Sequence, residues 1–176
     1  MRFLLYICVA LLALLVIYRI FYKKKRHQWY IRRASQLYNR INDKKQHYSS
    51  AQVFNYLRHI NPYVFEELLL IAFQRKGYRI IRNTRYSGDG GIDGYIIVER
   101  KKIPIQAKRY SSYIRGEHVV EFARVIQFYR KPFGLFIHTG RTGNAAGDPS
   151  CSVVRIISGE KLLDLLFMDR TFVIPS

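Results

Sequence analysis

Apolar and polar positions along this chain fall into three regimes. The first is unbroken: "FLLYICVALLALLVIYRIFY", residues 3–22, is apolar on every helical face and carries one charge, Arg19. A run of that length matches a membrane-spanning helix, and a helix apolar all round is hard to bury otherwise. Arg19 is close enough to the end to snorkel, and Tyr18, Phe21 and Tyr22 sit where the interface would fall. The second regime, residues 23–60, is polar with sparse stripes. Ile31, Ala34, Leu37, Tyr38 and Ile41 recur at helical spacing, and Val53, Tyr56, Leu57 and Ile60 do so after Ser49 and Ser50. The pattern predicts a helical stalk with a break at the serines, read as a solvated spacer.

The third regime, residues 61–176, alternates helical and strand periods. "NPYVFEELLLIAFQRKGY" predicts a helix capped by Asn61, with Pro62 in its first turn and Gly77 past its end. Short strands are predicted over 78–83, 94–100 and 102–109. The gap between the last two is so short that they should form an antiparallel hairpin, with Pro104 marking a bulge or an edge. A helix over 116–131, a strand over 132–140, the loop "RTGNAAGDPSC", a strand and a final helix follow. The order α-β-β-β-α-β, then β-α, predicts a mixed α/β domain. The division expected is therefore 1–22 anchor, 23–60 basic stalk and 61–176 folded domain.

Charge adds a partner. Thirty Lys and Arg stand against twelve Asp and Glu, for a formal +18, which points to a polyanion: nucleic acid or an anionic lipid surface. Residues 23–60 hold ten basic residues and one acid, Asp43. "KKKR" at 23–26 directly follows the apolar run, whereas only Arg2 precedes it. That order is the reverse of a secretory signal. By the positive-inside rule it predicts a single-pass protein of the inner (cytoplasmic) membrane whose folded domain is cytoplasmic, with the cluster also able to meet anionic headgroups. Two distant cysteines, Cys8 and Cys151, make no disulfide framework.

The chemistry concentrates in "GDGGIDGYIIVERKKIPIQAKRY", residues 88–110. The glycines permit a tight connection that sets Asp93 at the start of a strand. Gln106 and Lys108 are two apart on the next strand and so share a face. In a hairpin, Asp93 and the Gln106–Lys108 end meet at one end of the sheet. Asp, a Gln carbonyl and a backbone carbonyl are hard oxygen donors suited to Mg²⁺. A lysine beside such a metal orients water or offsets charge in a phosphodiester transition state. The residue types thus agree with metal-dependent phosphodiester hydrolysis; on spacing alone, a surface hairpin with solvated polar ends reads equally well. His59, His118 and His138 are scattered without metal-ligand spacing. Tyr110 and Tyr113 have two readings, stacking on bases or packing on the sheet.

The pieces "FEELL", "GY", "GDGGIDG" and "IQAKRY" occur in that order over residues 61–170 and resemble the Mrr-type restriction endonuclease family of the PD-(D/E)xK nuclease superfamily. The resemblance implies a restriction-endonuclease-like mixed sheet flanked by helices, and Mg²⁺-dependent cleavage of DNA, with Mn²⁺ as a substitute metal. It implies that Asp93 and Gln106 hold the metal with the carbonyl of Ala107. It gives Lys108 the positioning of water, and Glu66 a metal-bound water or a second ion. Asp89 matches the family's turn and is read as shaping the loop. Arg85, Lys102, Arg109 and Arg115, with Arg100, Lys101 and Arg141, are read as basic residues near the site that contact phosphates. The expectation is a membrane-anchored DNA endonuclease acting in restriction of, or defence against, foreign DNA. The alternative is a catalytically inactive, membrane-tethered DNA-binding module on the same fold. Cutting both strands together needs two sites, which a homodimer would supply, though no residue pattern argues for one.

Overall fold

The computed structural model describes residues 2–44, 47–83, 90–143 and 151–175; the side chains of residues 2–5, 8–10, 20 and 23 lie outside the description. The elements are α1 (Arg2–Asp43), α2 (Ser50–His59), α3 (Pro62–Arg75), β1 (Arg79–Arg82), β2 (Gly94–Val98), β3 (Lys101–Lys108), α4 (Gly116–Phe128), β4 (Gly134–His138), β5 (Val154–Ile157) and α5 (Gly159–Leu166). The strands lie side by side in chain order. β1, β2 and β3 are antiparallel, and β3, β4 and β5 are parallel. The predicted helix from Asn61, the three short strands and the hairpin all form. Of the segment 138–152, residues 144–150 lie outside the described residues.

Alternation along the strands builds two cores. Ile103, Ile105, Leu135 and Ile137 face α3, α5 and α1, packing with Leu68, Leu69, Leu162 and Leu166. Phe136 faces the other way, onto Val119, Phe122 and Ile126 of α4. Pro104 occupies neither an edge nor a bulge: β3 is central, and Pro104 pairs in unbroken register with Tyr95. Ile105 O and Ala107 N point toward β2, so the nitrogen of Pro104 points toward β4. The ladder to β4 begins only at Ile105, where the missing N–H costs no sheet hydrogen bond.

Residues 27–60 are helical with the expected break, and Ser49 starts α2 in a reciprocal capping box with Gln52. They are not a solvated spacer. Tyr30, Ala34, Leu37, Tyr38 and Ile41 of α1 are buried, as are Val53 and Leu57 of α2. Each large side chain among them contributes roughly 1.5–3 kcal/mol by leaving water, enough to outweigh the solvation of a polar outer face. The apolar stripe was legible; the basic composition around it hid its partner, α3.

α1 runs alongside α3 in the same direction. Its Tyr30 meets Tyr63, and His27 lies 3.8 Å from Glu67, both early in α3. Asn42 bonds the backbone of Leu166 and Met168, near where Lys76, just past α3, reaches Phe167 O. Residues before Arg26 therefore project past the N-terminal end of α3. Among the described residues no helix is long and apolar enough to cross a membrane. Every described side chain from 6 to 22 is exposed, among them Leu12 at 65% and Leu14 at 62%.

Candidate active site at one end of the sheet

The N-terminus of α3, the start of β2 and the ends of β3 and β4 meet at one end of the sheet. Asp93 lies one residue beyond the pair Gly94–Ile105. Its N–H donates to Ile105 O at 2.8 Å, and its Oδ2 accepts from Ala107 N at 2.6 Å. These two bonds fix the carboxylate against β3 between Gln106 and Lys108, the juxtaposition that the hairpin predicts. Lys108 is half-buried and in register with His138 of β4.

Gln106 is buried, and its Oε1 has no hydrogen-bond partner among the described residues. A buried acceptor left unsatisfied is costly, so this oxygen is suited to a cation. Gly91 makes room for this side chain. Its φ is +82°, and a Cβ there would stand 2.3 Å from Gln106 Nε2. Gly91→Ala is therefore expected to displace Gln106 and to add about 1–2 kcal/mol of left-handed strain. A drop in thermal midpoint together with a loss of nuclease rate would show it; unchanged rates would mean that the Gln106 position does not matter.

Adjacent glutamates on α3 serve different ends. The Glu66 carboxyl is pushed up to about 8, first by burial, then by Asp93 and Glu67, against the opposing pull of Lys108 and Arg109. That electrostatic company places Glu66 in the same cluster as Asp93 and Lys108. Glu67, 2% exposed, turns away to bind Arg82 of β1 at 2.9 Å and to face His27 of α1. Glu67→Ala is expected to destabilise the fold by roughly 2 kcal/mol, since it strands a half-buried guanidinium. Thermal melting measures this, and an unchanged midpoint would count against the pairing.

The basic residues divide. Arg109 donates to the carbonyls of Arg58 and Ile60, at 3.0 and 2.5 Å, so its guanidinium ties β3 to the α2–α3 junction. Arg58 in turn donates to Thr139 O. Arg115 is exposed beside Glu117, just before α4. Lys102, with Arg100 and Lys101, is not near the site. It lies six residues up β3 from Lys108, roughly 20 Å at strand spacing, because β3 runs from the hairpin turn to the site. Arg85 and Asp89 lie outside the described residues. Arg141 bridges to Tyr113 and stacks its guanidinium on that ring.

Two residues without a spacing signal border Lys108. His138 is fully buried, and burial lowers its pKa to about 4, so it stays neutral; its Nε2 lies 3.3 Å from Thr142 Oγ1. Tyr110 packs its ring edge-on to His138, joins His118 through its hydroxyl, and trades backbone bonds with the Thr139 hydroxyl. Tyr110 therefore packs on the sheet. The register pair Lys108–His138 was the one available signal, and it depends on the order of strands.

Among the described residues no group of three His, Cys, Asp or Glu side chains is arranged to hold a metal. The cluster instead offers two carboxylates, Glu66 and Asp93, and the Gln106 amide oxygen. The family model for a restriction endonuclease catalytic domain, Mrr_cat, matches residues 57–166. No curated protein and no solved structure matches the chain.

Proposed function

This chain belongs to the Mrr-type restriction endonuclease family and is a nuclease of that kind; from that premise we propose a membrane-anchored, Mg²⁺-dependent DNA endonuclease. The observation that carries the catalytic reading is the electrostatic grouping of Glu66, Asp93 and Lys108 at the end of β3, where the Asp93 carboxylate is held by the N–H of Ala107, next to Gln106. Asp93, Gln106 and Glu66 would hold the divalent cation, with the Ala107 carbonyl as a further oxygen. When bound, the cation would supply Lewis-acid stabilisation of charge at the scissile phosphate.

The residues have separate tasks. Ala107 N–H fixes the Asp93 carboxylate. The Lys108 ammonium orients water or meets the charge that develops on the phosphate oxygens. Gly91 and the buried wall beside Gln106 keep that amide in place. Arg115 would contact the DNA backbone near the site. Arg109 would hold the α2–α3 junction that presents Glu66.

Support for the anchor is the exposure of the described apolar side chains of α1 between 6 and 22, Leu11, Leu12, Leu14 and Leu15 among them, which would be costly in water and would be satisfied by lipid. The domain would then lie on the cytoplasmic side of the inner membrane, with restriction of foreign DNA as its role. The test uses the full chain in detergent, since a fragment from residue 50 would strip Tyr30–Ile41 from the core. Mg²⁺-dependent nicking of plasmid, absent in EDTA, is expected. Intact plasmid together with a gel shift would favour a DNA-binding module. Release of the chain from membranes by alkaline carbonate would remove the anchor from this reading.

A further inference from the structure

The end of the sheet opposite the candidate active site gathers cations that the hydrolytic chemistry does not use. β3 and β4 run parallel with Ile105 beside Leu135. Continued to the strand starts, that register sets Lys101 beside Lys131 and Lys102 beside Pro132. Lys101, Lys102, Arg130, Lys131 and Pro132 line an open cleft of about 440 Å³. No acid is among these lining residues, so their charges repel one another until an anion arrives.

Both turns that form the cleft are strained. Glu99 (φ 48°), Arg100 (φ 65°) and Arg130 (φ 50°) are the non-glycine residues in the left-handed region among the described residues. A two-residue hairpin turn requires this geometry at Glu99 and Arg100, and the cap that ends α4 requires it at Arg130, so local structure fixes where both turns present their basic side chains. Directly before Arg130 stand two aromatic side chains in an edge-to-face pair, Phe128 and Tyr129. Phe128 is 80% exposed, more than any other large apolar side chain described. No core explains it.

Cations beside exposed rings fit a strand of nucleic acid, with phosphates on the lysines and arginines and unpaired bases on the rings. Anionic lipid would also satisfy the cations. The direction of α1 argues against it: α1 leaves the fold at the end where His27 meets Glu67, and β3 separates that end from the cleft by roughly 25 Å. We propose that this face is a second nucleic-acid site, one that binds single strands and is separate from the candidate active site. It does not depend on the catalytic reading.

The test is binding of the full chain, in detergent and EDTA, to a fluorescent oligothymidine of about 20 nucleotides across a range of salt. One variant joins Lys101→Gln, Lys102→Gln, Arg130→Asn and Lys131→Gln; the second is Phe128→Ala. The charge variant is expected to bind at least about tenfold more weakly, with a salt slope reduced by about 0.7 for each phosphate that the variant no longer neutralises. Phe128→Ala should bind about fivefold more weakly with the slope unchanged. Wild-type affinity and slope in both variants overturn the proposal. So does unchanged oligothymidine binding combined with weakened binding to phosphatidylserine–phosphatidylcholine vesicles. Because EDTA suppresses cleavage, a chain that fails to nick plasmid but shows these affinity losses leaves the second site standing and removes only the catalytic reading.

Discussion

Asp93→Asn and Lys108→Ala should each lower the rate of plasmid nicking by about 1,000-fold or more, while leaving DNA affinity in EDTA within about threefold. The two act for different reasons. Asparagine at 93 keeps an oxygen for the Ala107 N–H, so the hairpin end stays folded, but the negative charge is gone. Alanine at 108 removes the half-buried ammonium from the Glu66 and Asp93 cluster and leaves no group to meet charge on the phosphate. Initial rates in Mg²⁺, with anisotropy in EDTA as the control, separate catalysis from binding. A variant that keeps a tenth of the wild-type rate would show that its side chain is not at the reacting phosphate. Asp93→Asn carries a second signature. Loss of the Asp93 charge relieves one cause of the raised Glu66 pKa, so this inactive variant should also melt higher than wild type at pH 8.

The site was legible to the extent that short-range geometry determines it. Strand alternation puts Gln106 and Lys108 on one face, and a two-residue turn at Glu99 and Arg100 forces Asp93 to their end of the hairpin. Features that depend on long side chains or on distant partners were not legible. Arg109 follows Lys108 directly, yet its guanidinium reaches back to carbonyls at 58 and 60, which no local pattern specifies. Lys102 shares a strand with Lys108, and only the strand's direction separates the two. Glu66 and Glu67 are neighbours on one helix; about 100° of rotation sends one to the site and the other to Arg82. Residues 30–41 carried the right stripe, but a basic, polar composition says nothing about which helix will cover it. Pro104 sits where a local rule forbids it, because its cost depends on which neighbouring strand its nitrogen faces.

Glu66→Gln should stabilise the protein, and the gain should grow with pH. In the folded chain the Glu66 carboxyl titrates at about 8, against 4.5 for the free side chain. Between those values the folded state binds more protons than the unfolded state, so stability falls as pH rises. The proton-linked contribution is fully present below pH 4.5 and lost by the time pH passes 8. The penalty at pH 9 is on the order of a few kcal/mol, reduced by whatever solvent reaches this partly buried cluster. Glutamine keeps the shape and never ionises. In EDTA its thermal midpoint should match wild type near pH 4.5 and exceed it by roughly 5–10 °C at pH 9. The wild-type midpoint should fall steadily over that range while the variant's stays nearly flat. A divalent cation held by these oxygens favours the ionised carboxyl, so Mg²⁺ at pH 8 should raise the wild-type midpoint more than the variant's. Parallel midpoint curves for the two chains in EDTA would mean that Glu66 is solvated and ordinary. Equal shifts on adding Mg²⁺ would place the cation away from Glu66, leaving Asp93 and Gln106 to hold it.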